Sequence, residues 1–112
     1  MSQFDEKMST YMDAINELNL GLDEGLVTAV AKSLGPSIYL ADAGTVSSSD
    51  ETELATIKEK FLKGKLGIND EAKMEEAIKE VVEQMGSSNR SKHRAIFYAL
   101  LVKKFAKEEL FS

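Results

Sequence analysis

The sequence predicts an all-α fold, a compact bundle of about five helices with the C-terminal helix at its centre. Four segments repeat apolar residues at three- and four-residue steps, which is the period of an amphipathic helix. No segment alternates apolar and polar residues over the length of a strand. A fifth segment, Ala95 to Val102, holds eight consecutive apolar or aromatic residues. On a helix these cover every side, so we expect their helix to be enclosed by the others.

The first two helices are predicted from their periods and their ends. The first ends near Gly21. Asp23 is expected to cap the second, because its carboxylate can accept hydrogen bonds from the free N–H groups of a first helical turn. Gly35 and Pro36 end the second helix, since proline cannot continue it. The apolar residues of the first helix are Phe4, Met8, Tyr11, Met12, Ile15 and Leu18, and those of the second are Leu26, Val27, Val30, Ala31 and Leu34.

Residues 36–49 show no clean period and form the longest irregular segment. We expect Ile38, Tyr39 and Leu40 to tuck against the bundle before a Gly/Ser/Thr loop. Ser48 followed by Glu51 is typical of a capping box and predicts the start of a third helix, which closes at Gly67. Its inward residues are Leu54, Ile57, Phe61, Leu62 and Leu66.

The fourth helix has the clearest period in the chain. Asn69 or Asp70 caps it, and it ends at Gly86. Its apolar face consists of Met74, Ile78, Val81, Val82 and Met85, with glutamates mostly opposite. The fifth helix is predicted to run to about Leu110, with Ser87, Ser88 or Asn89 as its cap.

The whole chain, residues 1–112, is predicted to be a single helical domain. It has no cysteine, which excludes disulfides, thiol catalysis and thiolate metal sites and is compatible with a reducing compartment. The N-terminus lacks the apolar core of a signal peptide, and the apolar runs are too short to span a membrane. We therefore expect a cytoplasmic protein with no membrane partner.

The net charge of −5 is unevenly distributed along the chain. Residues 1–86 carry 17 acidic and 8 basic residues, whereas residues 87–112 carry 2 acidic and 6 basic residues. The basic end either packs against the acidic body or forms a patch for an anionic partner. Because the protein as a whole repels polyanions, we do not expect a nucleic-acid partner.

The segment from Gly86 to Arg94 is the candidate anion site. A helix start offers free N–H groups and the positive end of the helix dipole, and hydroxyl, amide and basic side chains gather here. Alternatively, the polar residues cap the helix and the basic ones pair with glutamates of the first, third or fourth helix. The turn also has the length of a helix-turn-helix corner. The apolar middle of the fifth helix argues against this interpretation, because a recognition helix needs polar side chains that face the base edges. The candidate ligand residues are Ser87, Ser88, Asn89, Arg90, Lys92 and Arg94.

No catalytic constellation is visible in the sequence, so we do not expect an enzyme, a cofactor or a metal. His93 is the only histidine, and a zinc site would need carboxylates gathered from elsewhere. We expect His93 to be a surface or capping residue, which its basic neighbours keep neutral. The glutamates of the fourth helix are predicted to form a solvated face.

The chain resembles, over nearly its whole length, a family of short bacterial proteins catalogued as a domain of unknown function. The segments that carry the resemblance are Leu34 to Tyr39, Met85 to Arg90 and Phe97 to Phe105. The resemblance implies a small, bacterial, cytoplasmic helical protein. It lends no activity, cofactor or catalytic residue.

For function, we expect a non-enzymatic protein-interaction module whose partner is another protein or, by self-association, a second copy of this chain. The alternative is a binder of a small anion or a nucleotide phosphate at the start of the last helix. We favour a monomer, because four amphipathic helices can surround one central helix. A symmetric dimer that buries the side of Tyr98 and Val102 is the alternative.

Overall fold

The computed structural model describes residues 3–35, 39, 45–46, 50–86 and 92–111. Of these residues, 77% are helical. The β contact in these ranges is an isolated antiparallel bridge between Thr45 and His93. The prediction of an all-α fold is confirmed.

The described ranges contain five α-helices. α3 continues without a break into a π-helical segment, and a short 3₁₀ turn follows α5. No helix in these ranges has both the length and the apolar character that crossing a membrane requires. The bounds are α1 Gln3–Leu18, α2 Glu24–Leu34, α3 Glu51–Thr56, the π segment Ile57–Lys63, α4 Glu71–Met85, α5 Arg94–Lys104 and the 3₁₀ turn Glu108–Phe111.

Aspartates cap α2 and α4. Asp23 caps α2 as predicted, and Asp70, one of the two residues predicted to cap the fourth helix, caps α4. A carboxylate oxygen of Asp23 accepts a hydrogen bond from the Leu26 N–H at 3.2 Å. Asp70 accepts one from the Lys73 N–H at the same distance of 3.2 Å. Each carboxylate satisfies an N–H group that has no partner inside its helix.

The predicted start of α3 is wrong. Asp50 caps this helix, and its carboxylate accepts hydrogen bonds from the N–H groups of Thr52 at 2.9 Å and Glu53 at 3.4 Å. Ser48, the predicted cap, lies outside the described residues. A serine and an aspartate two residues apart offer the same capping chemistry, and the sequence alone does not rank them.

The C-terminal half of the third predicted helix is π-helical, which the sequence does not predict. Phe61, Leu62 and Ile57 point from this segment into the core. Gly64 follows the segment with a helical backbone, and its N–H donates to the carbonyl oxygen of Glu59 at 3.1 Å, five residues earlier. Phe61 faces α5, where its ring stacks on that of Tyr98.

α5 is shorter than predicted at both ends. The backbone just before it is held extended, because the Val46 N–H donates to the Lys92 carbonyl at 2.8 Å. The helix therefore begins at Arg94 rather than at one of residues 87–89. At its other end Ala106 takes a positive φ of 54°, and the chain leaves the helix well before Leu110.

The central position of α5 is confirmed. All eight residues from Ala95 to Val102 are buried. Helices α1, α2 and α4 pack against α5, and the Phe61 ring covers Tyr98. Tyr98 and Val102 are thus covered within a single chain, and the face considered for a symmetric dimer is not available.

Candidate functional site

The predicted anion site is only partly within the described residues. Ser87, Ser88, Asn89 and Arg90 lie outside them. Lys92 is only 3% exposed, and burial lowers the pKa of its ammonium group. Arg94 stands in the first turn of α5, where its guanidinium forms an ion pair with the Glu53 carboxylate of α3. For Arg94, this is the pairing that the sequence left open as the alternative to anion binding.

Arg94 and Glu53 belong to a half-buried cluster that joins α3 to α5. Arg94 also donates to the Tyr98 hydroxyl at 2.9 Å and to the Thr45 carbonyl at 3.3 Å. Burial raises the pKa of Tyr98, and the neighbouring guanidinium only partly opposes this. Tyr98 is therefore a neutral hydrogen-bond partner at neutral pH, and the cluster holds the two helices together.

A second polar contact joins α1 to the start of α5. The rings of Tyr11 and His93 meet edge to face, with centroids 5.3 Å apart. Burial, and secondarily the charge of Lys7, lowers the pKa of His93. The expected neutral form of His93 agrees with this direction. Of the two expected positions, the structure gives the capping one: His93 is the N-cap residue of α5, although its side chain makes no capping hydrogen bond. Its ring is half-buried against Tyr11 and not on the surface.

The Tyr11 hydroxyl is buried and has no hydrogen-bond partner among the described residues. Burial, with a smaller contribution from Tyr39, raises the pKa of Tyr11 to about 12. Among the described residues no three histidine, aspartate or glutamate side chains lie close enough together to hold a metal ion.

An open groove lies between α3 with its π segment on one side and α4 on the other. It encloses about 480 Å³, and we call it the α3/α4 groove. Its floor is aliphatic: Ile78 is 4% exposed, whereas Leu54 and Val82 are half-buried. The complete lining is Leu54, Lys58, Glu75, Ile78, Lys79, Val82 and Glu83.

The rim of the α3/α4 groove is charged. At one place the Lys58 ammonium bridges to the Glu75 carboxylate across 3.0 Å, which ties the π segment to α4. Lys79 and Glu83 lie one turn apart further along α4, and neither makes an ion pair within the described part of the chain. The groove thus combines an apolar floor with charges that are available at its edge.

A second, smaller cleft of about 250 Å³ lies where the end of α4 meets α5. Its two lysines are engaged: the Lys103 ammonium donates to the Gly21 carbonyl at 2.9 Å, and Lys104 pairs with Glu80 at 2.6 Å. The cleft also lies at the C-terminal end of α5, where the helix dipole disfavours an anion. It is a less suitable binding site than the α3/α4 groove.

The sequence pattern did not single out the groove residues. Leu54, Ile78 and Val82 occupy inward positions of their helices, and the period assigned all three to the core. A period gives the direction of a side chain but not whether a neighbouring element covers it. A weak signal exists in α4, where Val82 lies at the edge of an unusually wide apolar face.

The sequence model of a family described as "Protein of unknown function (DUF2853)" matches residues 10–109 of the chain. This match spans most of the sequence, so the chain belongs to that family, and the predicted membership of an uncharacterised family is confirmed. No curated protein matches the chain.

Proposed function

We propose that this member of the family is a protein-interaction module without enzymatic activity, which binds a helical segment of a partner protein in the α3/α4 groove. One observation carries the proposal: the side chains of Leu54 and Val82 are only half-buried and, together with the buried Ile78, line an open groove on the outside of the bundle. Apolar surface that faces a groove with a polar rim is typical of interaction sites. We further propose a cytoplasmic location, because the chain has no cysteine.

The shape of the groove supports a helix as the occupant. Two neighbouring elements form its walls, and Ile78 and Val82 follow one another by a single helical turn along its floor. An amphipathic helix can place apolar side chains at positions i and i+4 onto these residues. Packing the partner into the space between α3 and α4 would extend the bundle by one helix.

The described basic residues do not favour the alternative of anion binding. Arg94 already has a carboxylate partner in Glu53, and Lys92 is buried. An anion at Arg94 would have to displace Glu53 from a half-buried ion pair, which leaves that carboxylate without its partner. We therefore take protein binding as the function.

A neutral amphipathic peptide tests the groove without involving charge. The probe is an 18-residue peptide of leucine, alanine and glutamine, with leucines at helical positions i, i+4 and i+7. We expect its addition to shift the amide NMR signals of Leu54, Ile78 and Val82. Val82→Gln should abolish the shifts, whereas Leu26→Gln, at a half-buried apolar position of α2, should preserve them. Shifts confined to another surface, or none at millimolar peptide, would contradict the proposal.

A further inference from the structure

The charges that line the α3/α4 groove are balanced, because the lining contains two lysines and two glutamates. A groove without net charge selects a partner by the order of its charges, and the order found on α4 is complementary to itself. Resting on the proposed function, we infer that the partner segment is α4 of a second copy of this chain. The two copies are then related by a two-fold axis.

Two of the four charges are already paired within the chain. The Lys58 ammonium bridges to the Glu75 carboxylate at 3.0 Å. Lys79 and Glu83 are exposed, lie one helical turn apart on the same side of α4, and make no ion pair within the described ranges. These two residues are therefore the charges that a partner meets at the groove.

A two-fold axis level with Val81 and perpendicular to α4 brings the free charges of the two copies together. The two α4 helices then run antiparallel, so residue 79 of one copy lies opposite residue 83 of the other. The interface holds two ion pairs between Lys79 and Glu83 of different copies. A purely acidic or purely basic partner could pair with only one of these two residues, whereas a second copy pairs with both.

The same axis brings together the apolar floors of the two grooves. Val82 lies one residue from the axis, so the two Val82 residues are offset along the helices by roughly 3 Å. Ile78 of one copy and Val82 of the other are offset by the same amount, roughly 3 Å. Leu54 and Val82 are only half-buried in a single chain. A second copy would remove these side chains from water, which favours association.

This dimer is not the one considered from the sequence. That dimer would bury the side of Tyr98 and Val102, which the chain itself covers. The dimer through the groove leaves α5 enclosed and uses the walls formed by α3 and α4. The net charge of −5 on each copy opposes association at long range, so we expect a reversible dimer that forms as the protein concentration rises.

Reversing one charge at a time tests the inference by analytical ultracentrifugation. We expect the parent protein to associate to a dimer as its concentration rises to the millimolar range. Lys79→Glu brings carboxylates against carboxylates at both pairs, and Glu83→Lys brings ammonium groups against ammonium groups. Each variant should dimerise roughly 4- to 800-fold more weakly than the parent, for two pairs that change from attraction to repulsion.

Mixing the two variants gives the most specific result. Lys79→Glu and Glu83→Lys should associate with each other, because each variant supplies the charges that the other lacks. Lys73→Glu makes the same change of charge at an exposed position of α4 outside the groove, and this matched control should dimerise like the parent. All three changes are at exposed positions, and circular dichroism checks that the variants remain folded.

The outcomes separate the inference from the proposed function. If the inference holds, the neutral peptide competes with the second copy, and Val82→Gln weakens the binding of both. A parent that stays monomeric at millimolar concentration, while the peptide still binds in a manner that Val82→Gln abolishes, would show a foreign partner and overturn the inference alone.

Two further results would also decide against the inference. A dimer that survives both charge reversals, or variants that do not associate on mixing, would place the interface on another face. If neither a second copy nor the peptide binds in a manner that Val82→Gln weakens, the proposed function fails together with the inference.

Discussion

The ring of Phe61 stacks on the ring of Tyr98, with centroids 4.1 Å apart and planes inclined by 25°. Phe61 belongs to the π segment and Tyr98 to α5, so this contact fixes the element that follows α3 against the central helix. The Arg94–Glu53 ion pair fixes the preceding turns of the same element. Held in this way at α5, α3 and its π segment form one fixed wall of the α3/α4 groove.

The ion pair between Arg94 and Glu53 should contribute measurably to stability. Glu53→Gln removes the charge from a half-buried site and leaves the guanidinium without its carboxylate, so we expect a loss of about 1.5–3 kcal/mol in the free energy of unfolding. Urea denaturation measures it. Glu80→Gln, which breaks the more exposed pair with Lys104, should cost no more than about 1 kcal/mol. Equal costs at both positions would contradict the assigned role of the cluster.

Removing the hydroxyl of Tyr11 and removing that of Tyr98 should change the stability of the protein in opposite directions. Within the described part of the chain the buried Tyr11 hydroxyl has no hydrogen-bond partner, so Tyr11→Phe removes a polar group without compensation there and should raise the free energy of unfolding by about 1 kcal/mol. The Tyr98 hydroxyl accepts from Arg94, so Tyr98→Phe should lower that free energy by about 1–2 kcal/mol. Thermal unfolding of the two variants compares them directly. Destabilisation by Tyr11→Phe would show that its hydroxyl has a partner.

Gly64 should tolerate no side chain, despite its helical backbone. A Cβ atom at this position would lie 2.7 Å from the Lys60 carbonyl oxygen and 3.3 Å from that of Glu59. Alanine normally stabilises a helix relative to glycine. Here we expect Gly64→Ala to cost about 1–3 kcal/mol, because the backbone must shift. Lys60→Ala, an exposed change in the π segment, should alter stability by less than about 0.5 kcal/mol. A stabilised Gly64→Ala would argue for an ordinary α-helical turn there.

His93 should make the fold sensitive to mild acid. Its pKa in the folded protein lies below the ordinary value of 6.5, so the unfolded chain takes up the proton first as the pH falls. The contribution of His93 to stability is therefore complete above about pH 6.5 and is lost as the pH falls through the lowered pKa. Stability curves measured by urea between pH 8 and 5 should decline less for His93→Gln than for the parent. Parallel curves would contradict the lowered pKa.

Local patterns were sufficient to predict most of the helices. The periods and the aspartates of α2 and α4 are short-range features, and they predicted the elements that the structure contains. The uninterrupted apolar run from Ala95 to Val102 also predicted which helix is central. The starts of α3 and α5 were less predictable, because several polar residues near each can serve as caps.

The features that escaped prediction depend on contacts between distant parts of the chain. The start of α5 is set by the hydrogen bond between Val46 and Lys92, which are 46 positions apart. The sequence predicted that Phe61 points inward, but not that it lies in a π-helical segment or stacks on the ring of Tyr98. The groove itself depends on how far α3 and α4 stand apart at Leu54 and Val82. None of these contacts between distant residues follows from the apolar period of a single helix.

Photo-crosslinking in living cells tests most directly our proposal that the α3/α4 groove receives a partner protein. A photo-crosslinking amino acid at position 79 stands on the groove edge, and one at position 73 stands on the other side of α4 as the matched control. We predict a crosslinked partner from position 79 alone, which disappears when Val82→Gln is added. Crosslinks that persist with Val82→Gln, or that form equally from position 73, would contradict the claim.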